Sequence, residues 1–97
     1  MNNIGSLAKL RVLLSGMEVD MGLDELGEVQ KNIIYAATLI SHSQELIETD
    51  ELRTHILLNG TSRSTFFRAL RGLVDVGYIK HNDGALRSSY TLTNRLK

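Results

Sequence analysis

Hydroxyl and guanidinium groups are concentrated in one stretch of the sequence, residues 60–79. Both groups donate hydrogen bonds to oxygen, and a guanidinium offers two parallel N–H groups that match a phosphate or the acceptor edge of guanine. The chemistry available here is therefore the recognition of anionic or base-edge acceptors. The residues that carry it are Thr61, Ser62, Arg63, Ser64, Thr65, Arg68 and Arg71.

A helix over residues 62–77 is predicted to position these groups. Thr61 or Ser62 is a suitable N-cap, and Gly77 is a suitable end because glycine readily adopts the left-handed backbone conformation. At about 100° per residue, the apolar residues share one face and the later arginines lie on the opposite face, with Gly72 beside them. Phe67 falls on the boundary, where it either completes the core or presents an exposed ring. The apolar face contains Phe66, Ala69, Leu70, Leu73 and Val74.

The net charge of the chain is zero, but the two halves differ in sign. Residues 1–51 contain three basic and nine acidic side chains, a net charge of −6, whereas residues 52–97 contain eight basic and two acidic ones, a net charge of +6. A domain with one positive end attracts a phosphate backbone whatever its total charge. The charge distribution therefore favours a nucleic acid as the partner of the C-terminal half.

Two helices and a hairpin are predicted around this stretch. Residues 24–42 form a helix with Asp24 as its N-cap, and Tyr35 and Leu39 lie outside its main apolar face, so that it is either packed on two sides or part of a subunit contact. Residues 42–48 are predicted to be a loop. Residues 78–81 and 86–93 are predicted strands, because Asn82, Asp83 and Gly84 between them form a strong turn signal.

A short helix is predicted between that loop and the basic stretch. Thr49 serves as its N-cap, and the helix runs from residue 50 to about residue 58. Leu52 and Ile56 are expected to face inward, and Gly60 ends the segment in a tight turn.

The N-terminal segment, residues 1–22, is predicted to be a helix with apolar residues spaced alternately three and four apart. Two interpretations of this helix remain open. It either covers the domain's own core or pairs with a second subunit. The residues with this spacing are Leu7, Leu10, Leu14, Met17 and Met21.

This order of elements is mainly α with a small β-hairpin wing, the layout of a winged helix-turn-helix. The segment SRSTFFRALRGLVDVGYI (62–79) resembles the core of winged helix-turn-helix transcriptional regulators of the MarR, ArsR and IclR kind. The preceding ETDELRTHILLNGTS (48–62) resembles their first motif helix and its turn, and the whole resemblance covers residues 26–93. The sequence departs from the pattern at Phe67, where the family has a smaller and more polar residue. It also lacks the long C-terminal dimerisation helices of MarR-like proteins, so a homodimer is expected to form through residues 1–40.

We therefore predict sequence-specific binding of double-stranded DNA by a small transcriptional regulator. Residues 1–22 pack or dimerise, and residues 23–97 form the winged helix-turn-helix domain. Helix 62–77 enters the major groove, and residues 78–93 form the wing. The alternative is a winged-helix protein–protein interaction module without sequence-specific DNA binding. The expected DNA contacts are Thr61, Ser62, Arg63, Ser64, Thr65, Arg68, Arg71, Lys80, His81, Asn82 and Arg87.

Several other classes of protein are disfavoured by the sequence. It contains no cysteine, which excludes disulfides and thiolate zinc sites, and its three histidines show no metal-ligand spacing. We find no catalytic motif, and expect neither enzymatic activity nor a cofactor or metal. The absence of a run of about 18 apolar residues and of a secretory signal predicts a cytoplasmic protein without a membrane segment.

Overall fold

The computed structural model describes residues 3–82 and 88–93 of the chain. These residues are mainly helical and include a small three-stranded antiparallel sheet with the strand order β1-β3-β2. The elements in chain order are α1 (Ile4–Asp20), α2 (Glu28–Ser41), β1 (Ile47–Glu48), α3 (Thr49–Arg53), a 3-10 turn (Ile56–Leu58), α4 (Arg63–Val76), β2 (Ile79–His81) and β3 (Ser89–Leu92).

The hydrophobic core is built around α2, which packs against α3, the 3-10 turn, α4 and the sheet. Small side chains at Ala36 and Ala37 are completely buried and let the neighbouring elements approach closely. The other buried apolar residues are Leu23, Ile33, Ile34, Ile47, Leu52, Leu58, Phe66, Leu70, Leu73, Tyr78 and Ile79.

Helix α2 begins at Glu28, so the prediction of Asp24 as its N-cap was wrong. Gly27 occupies the N-cap position, and its backbone N–H donates to the side-chain Oε1 of Gln30 at 3.1 Å. Leu23 is buried in the core, and the chain between α1 and α2 forms a turn around it. The acidic residue that looked like a cap therefore lies in this turn.

A third strand replaces part of the predicted 42–48 loop. Ile47 and Glu48 form β1, which pairs with β3 so that Ile47 lies opposite Tyr90. The predicted hairpin of β2 and β3 is present, with Ile79 opposite Leu92, but it belongs to a three-stranded sheet. A strand of two residues is too short for an alternating pattern to show in the sequence.

The short helix predicted over residues 50–58 is divided in two. Helix α3 ends at Arg53 and starts from Glu48 as N-cap instead of Thr49, and a separate 3-10 turn follows. This break changes the helical phase. As a result Ile56, which was predicted to face inward, is 79% exposed, whereas Leu58 is 2% exposed.

Helix α1 is confirmed as a helix, but it does not cover the core. Glu18 is its only buried residue, and most of its apolar side chains face solvent. The molecule is accordingly elongated, with dimensions of 50 × 27 × 26 Å. Within residues 3–82 and 88–93, no helix has both the length and the apolar character needed to cross a membrane.

A polar cluster attaches α1 to α2. The carboxylate of Glu18 accepts hydrogen bonds from the hydroxyl of Tyr35 and from Nζ of Lys31, the latter at 3.3 Å. The bond from Tyr35, assisted by Lys31, lowers the pKa of Glu18 despite the opposing effect of burial. Burial and the neighbouring carboxylate raise the pKa of the Tyr35 hydroxyl, so it stays protonated and donates.

Candidate nucleic-acid interface

Local hydrogen bonds define both ends of α4. Ser62 is the N-cap: its Oγ accepts from the backbone N–H of Thr65 at 3.3 Å and donates to Oγ1 of Thr65 at 2.9 Å. At the other end Gly77 has a φ of 96°, and its N–H donates to the carbonyl of Leu73 at 3.1 Å. The predicted helix is therefore confirmed to within one residue at each end.

The two faces of α4 differ as predicted. Phe66, Leu70 and Leu73 are buried and face the core, where they hold the helix in place. The exposed side combines guanidinium and hydroxyl groups in the first half of the helix. It carries Arg63, Ser64, Thr65, Arg68 and Arg71, while Thr61 just before the helix is half-buried.

The basic side chains of this face have no acidic partner among the described residues. Within the described parts of the chain, Arg63, Arg68 and Arg71 form no salt bridge with a carboxylate. Asp75 follows Arg71 by four residues on the same helix, yet the two are not paired. Within residues 3–82 and 88–93, these three guanidinium groups therefore have no carboxylate partner.

Phe67 has both of the roles that its boundary position allowed. Its ring is half-buried and lies edge-on to the ring of Phe66, with 5.1 Å between the centroids. The guanidinium carbon of Arg63 lies 5.2 Å from the centroid of the Phe67 ring. Such a cation–π contact contributes about 0.5–1 kcal/mol at an exposed site, enough to bias the Arg63 side chain toward one position.

Gly72 was expected beside the arginines, and this expectation was wrong. A Cβ atom at Gly72 would lie 2.7 Å from Nε2 of Gln30. The same Nε2 donates to the carbonyl of Ala69 at 3.4 Å. Gly72 therefore faces α2, where the missing side chain allows a side-chain hydrogen bond between the two helices.

The hairpin residues that were predicted to contact DNA lie in different environments. Lys80 is exposed on β2 and lies opposite Thr91 of the neighbouring strand β3. Among the described residues it forms no salt bridge, so its ammonium group faces solvent. Arg87, together with Asp83 and Gly84 of the predicted turn, lies outside the described residues.

His81 and Asn82 are half-buried and interact with their own hairpin. The His81 ring lies 5.1 Å from the Tyr90 ring, and its Nε2 is 3.3 Å from Oγ of Ser88. Asn82 donates from Nδ2 to Oγ of Ser89 at 3.4 Å. Both side chains therefore stabilise the pairing of β2 and β3.

Two small clefts flank Phe67, and the sequence offered no signal for either. A cleft of about 280 Å³ brings Arg71 beside His81 and so joins the basic face of α4 to the hairpin. A second cleft of about 440 Å³ is lined by Phe67 together with Glu48, Thr49, Asp50 and Ser88. The start of α3 thus places two carboxylates at one edge of the basic face.

Comparison of the sequence with known protein families and curated proteins, and of the structure with solved structures, found no match.

Proposed function

We propose that this protein binds double-stranded DNA as a small transcriptional regulator of the winged helix-turn-helix type. The observation that carries the proposal is the exposed side of α4, where Arg63, Arg68 and Arg71 have no carboxylate partner among the described residues. The major groove of B-DNA admits one α-helix, and the residues near its N-terminus reach the base edges. Helix α4 has its polar residues at that end.

The contacts within α4 indicate which of its residues would contact base edges and which would contact the phosphate backbone. Ser62 already caps its own helix, so its hydroxyl contributes less to base recognition than the sequence predicts. Arg63, Ser64 and Arg68 are assigned to base edges, because they are exposed in the first two turns. Arg71 lies one turn further on and is assigned to the phosphate backbone, and the free N–H groups at the helix start also favour a phosphate.

The strands that follow α4 are proposed to form the wing. Lys80 is exposed and supplies a phosphate contact, and Arg87 is proposed from the sequence as a second one. His81 and Asn82 form hydrogen bonds within the proposed wing. His81 also lines the same cleft as Arg71 of α4. The location implied by this function is the cytoplasm.

A homodimer through residues 1–40 completes the proposal. A dimer reads two half-sites whose centres lie about 34–36 Å apart on the DNA. The exposed apolar residues of α1 support this part of the proposal, because a helix with so much apolar surface is otherwise unfavourable in water.

Fluorescence anisotropy with a labelled duplex tests DNA binding. The wild type is expected to bind duplex at low salt, with an affinity that falls as salt rises because counterions are released from the DNA. Arg71→Ala plus Lys80→Ala, which removes two of the proposed phosphate contacts, should weaken binding and reduce the slope of log affinity against log salt by about two. The control Lys9→Ala plus Arg11→Ala removes the same charge from α1 and should leave the slope nearly unchanged.

Absence of wild-type binding at low salt would overturn the proposal, as would equal losses in the two double variants. Selection of duplexes from a random pool then tests sequence specificity. Enrichment of one motif by the wild type, lost in the Arg63→Ala and Arg68→Ala variant, is the expected result.

The second candidate is a winged-helix protein–protein interaction module. It is favoured by one observation, the apolar surface of α1 and the adjoining side of α2, which is not covered within the described residues. The salt response separates the two functions. An apolar protein interface changes little with salt, whereas DNA binding through about four to six phosphates weakens steeply.

A further inference from the structure

One side of α1 presents a continuous apolar stripe to solvent. At about 100° per residue, its five members lie within one quarter of the helix circumference. All five are exposed, and the last three of them line a groove against α2. The apolar stripe consists of Leu7, Leu10, Leu14, Met17 and Met21.

The C-terminal end of the apolar stripe borders a groove between α1 and α2. The groove has a volume of about 350 Å³ and an almost entirely apolar lining. Leu14, Met17 and Met21 form its α1 side, and Ile34 and Leu39 belong to its α2 side. The side of α2 that lies outside its main apolar face is therefore only half covered by its own chain.

We infer that the apolar stripe binds the apolar stripe of a second copy in the antiparallel direction, so that the first turns of each α1 fill the groove of the other copy. This inference deepens the homodimer part of the proposed function and does not depend on DNA binding. Three observations select a second copy, and this direction, over other occupants: the register of the stripe, the distribution of charge along α1 and the exposed area.

The register of the stripe is self-complementary. When two copies of the helix Ile4–Asp20 overlap fully and run in opposite directions, Leu7 of one copy lies opposite Met17 of the other. In the same register Leu10 lies opposite Leu14. The four stripe residues within the helix therefore meet stripe residues of the other copy, as in an antiparallel coiled coil, while Met21 lies just beyond the helix.

The charges of α1 favour the antiparallel direction. Lys9 and Arg11 lie in its first half, and Asp20, which forms no salt bridge among the described residues, lies in its last turn. An antiparallel pair places the basic half of one helix beside the acidic half of the other, whereas a parallel pair places like charges together. Asp20 is disfavoured by the C-terminal dipole of its own helix and would lie near the N-terminus of the second helix, where a carboxylate is stabilised.

The exposed area is sufficient for a stable contact. The five residues of the apolar stripe, with Leu13 and Leu39 beside it, are all exposed. At roughly 100 Å² each they offer about 700 Å², close to the roughly 800 Å² per partner of a standard protein–protein interface. Because the pairing is symmetric, one stripe serves as both surfaces of the dimer.

Analytical ultracentrifugation of two matched variants of the full chain tests the surface. Leu10 lies in the stripe and is 60% exposed, whereas Val12 lies on the opposite side of α1 and is 73% exposed. The wild type and Val12→Glu are expected to be dimers. Leu10→Glu should raise the dissociation constant on the order of 100-fold, because a carboxylate from each copy would be buried without a partner.

Cysteine cross-linking tests the direction, because the chain has no cysteine of its own. Leu7→Cys and Met17→Cys chains, carrying tags of different mass, are mixed and oxidised. Antiparallel pairing predicts a disulfide between the two different variants. It predicts none within Leu7→Cys alone, since the two Leu7 positions are about 15 Å apart along the helices, beyond the roughly 7 Å limit between Cα atoms for a disulfide.

A monomeric wild type, or equal dissociation of the Leu10→Glu and Val12→Glu variants, would overturn the inference, and so would a disulfide within Leu7→Cys alone. A monomer that still binds duplex at low salt would leave the DNA part of the proposed function standing. A dimer that binds no duplex would leave the present inference standing, so the two failures are distinguishable.

Discussion

The hydroxyl of Tyr35 on α2 donates a hydrogen bond to the carboxylate of Glu18, the one buried residue of α1. Lys31 donates to the same carboxylate and completes a polar junction between the two helices. Because the remainder of α1 is exposed, the position of this helix depends strongly on that junction. The charge state of one carboxylate thus influences how the proposed dimer surface is presented.

The docking of α1 should depend on pH in the acid range. The folded-state pKa of Glu18 lies below the ordinary value of 4.5, since Tyr35 and Lys31 stabilise the ionised form. The junction therefore contributes its full stability above that ordinary value, and this contribution is lost as the pH falls through the depressed pKa. Hydrogen exchange of the α1 amides between about pH 2 and pH 7 measures the effect, when each rate is expressed as protection relative to an unstructured amide at the same pH.

Glu18→Gln should remove this pH dependence, because the amide does not titrate. Asp24→Asn is the matched control, since Asp24 is an exposed acid in the turn after the same helix and forms no salt bridge among the described residues. It should leave the pH dependence intact. Wild-type pH dependence in Glu18→Gln would show that the junction does not control α1.

The change of helical phase after α3 predicts unequal effects at two neighbouring apolar residues. Leu58→Ala should lower the free energy of unfolding by about 2–5 kcal/mol, because it leaves a cavity in the core. Ile56→Ala should change it by no more than about 0.5 kcal/mol, because Ile56 is exposed. Urea denaturation of the two variants provides the comparison, and a larger loss for Ile56→Ala would contradict the position of the 3-10 turn.

The contact between Arg63 and Phe67 should strengthen DNA binding by holding the guanidinium in place. Phe67→Leu retains an apolar side chain but removes the aromatic ring, and we expect it to reduce affinity for duplex by about 0.5–1 kcal/mol. In a chain that already carries Arg63→Ala, Phe67→Leu should have little further effect. Anisotropy titrations of the two single variants and the double variant measure this coupling. Additive losses would mean that the ring acts independently of Arg63.

The carboxylate of Asp50 is expected to oppose DNA binding, because it lines the cleft beside Phe67 at the edge of the basic face. Its only salt bridge among the described residues is a long one of 3.8 Å to Arg53. Asp50→Asn should therefore tighten binding to duplex several-fold at low salt, with a smaller gain at high salt. Asp24→Asn, in the turn between α1 and α2, serves as the control and should not change affinity. Unchanged binding by Asp50→Asn would place the start of α3 outside the interface.

The features of α4 that were predicted correctly depend on residues close together in the sequence. Ser62 caps the helix through a residue three positions away, and Gly77 ends it through its own backbone conformation. The burial of Phe66, Leu70 and Leu73 follows from helical spacing alone. The exposure of Arg68 and Arg71 on the other side follows from the same spacing.

The features that were predicted wrongly, or left open, depend on contacts distant in the sequence. Ile47 becomes a strand residue because β3, more than 40 positions later, provides its partner. Leu23 is buried in the core, and α2 begins at Glu28 instead of directly after Asp24. Neither contact leaves a periodic signal in its own segment, because only a residue or two in each takes part.

By itself the sequence determined the amphipathic character of α4, the basic sign of its outer face and the apolar stripe of α1, because each depends on residue type and helical period. The tertiary structure alone decided that Phe67 supports Arg63, that Glu48 and Asp50 border the basic face, and that α1 does not cover the core. These properties arise when separate elements pack against one another, and packing depends on the shape of all the partners together.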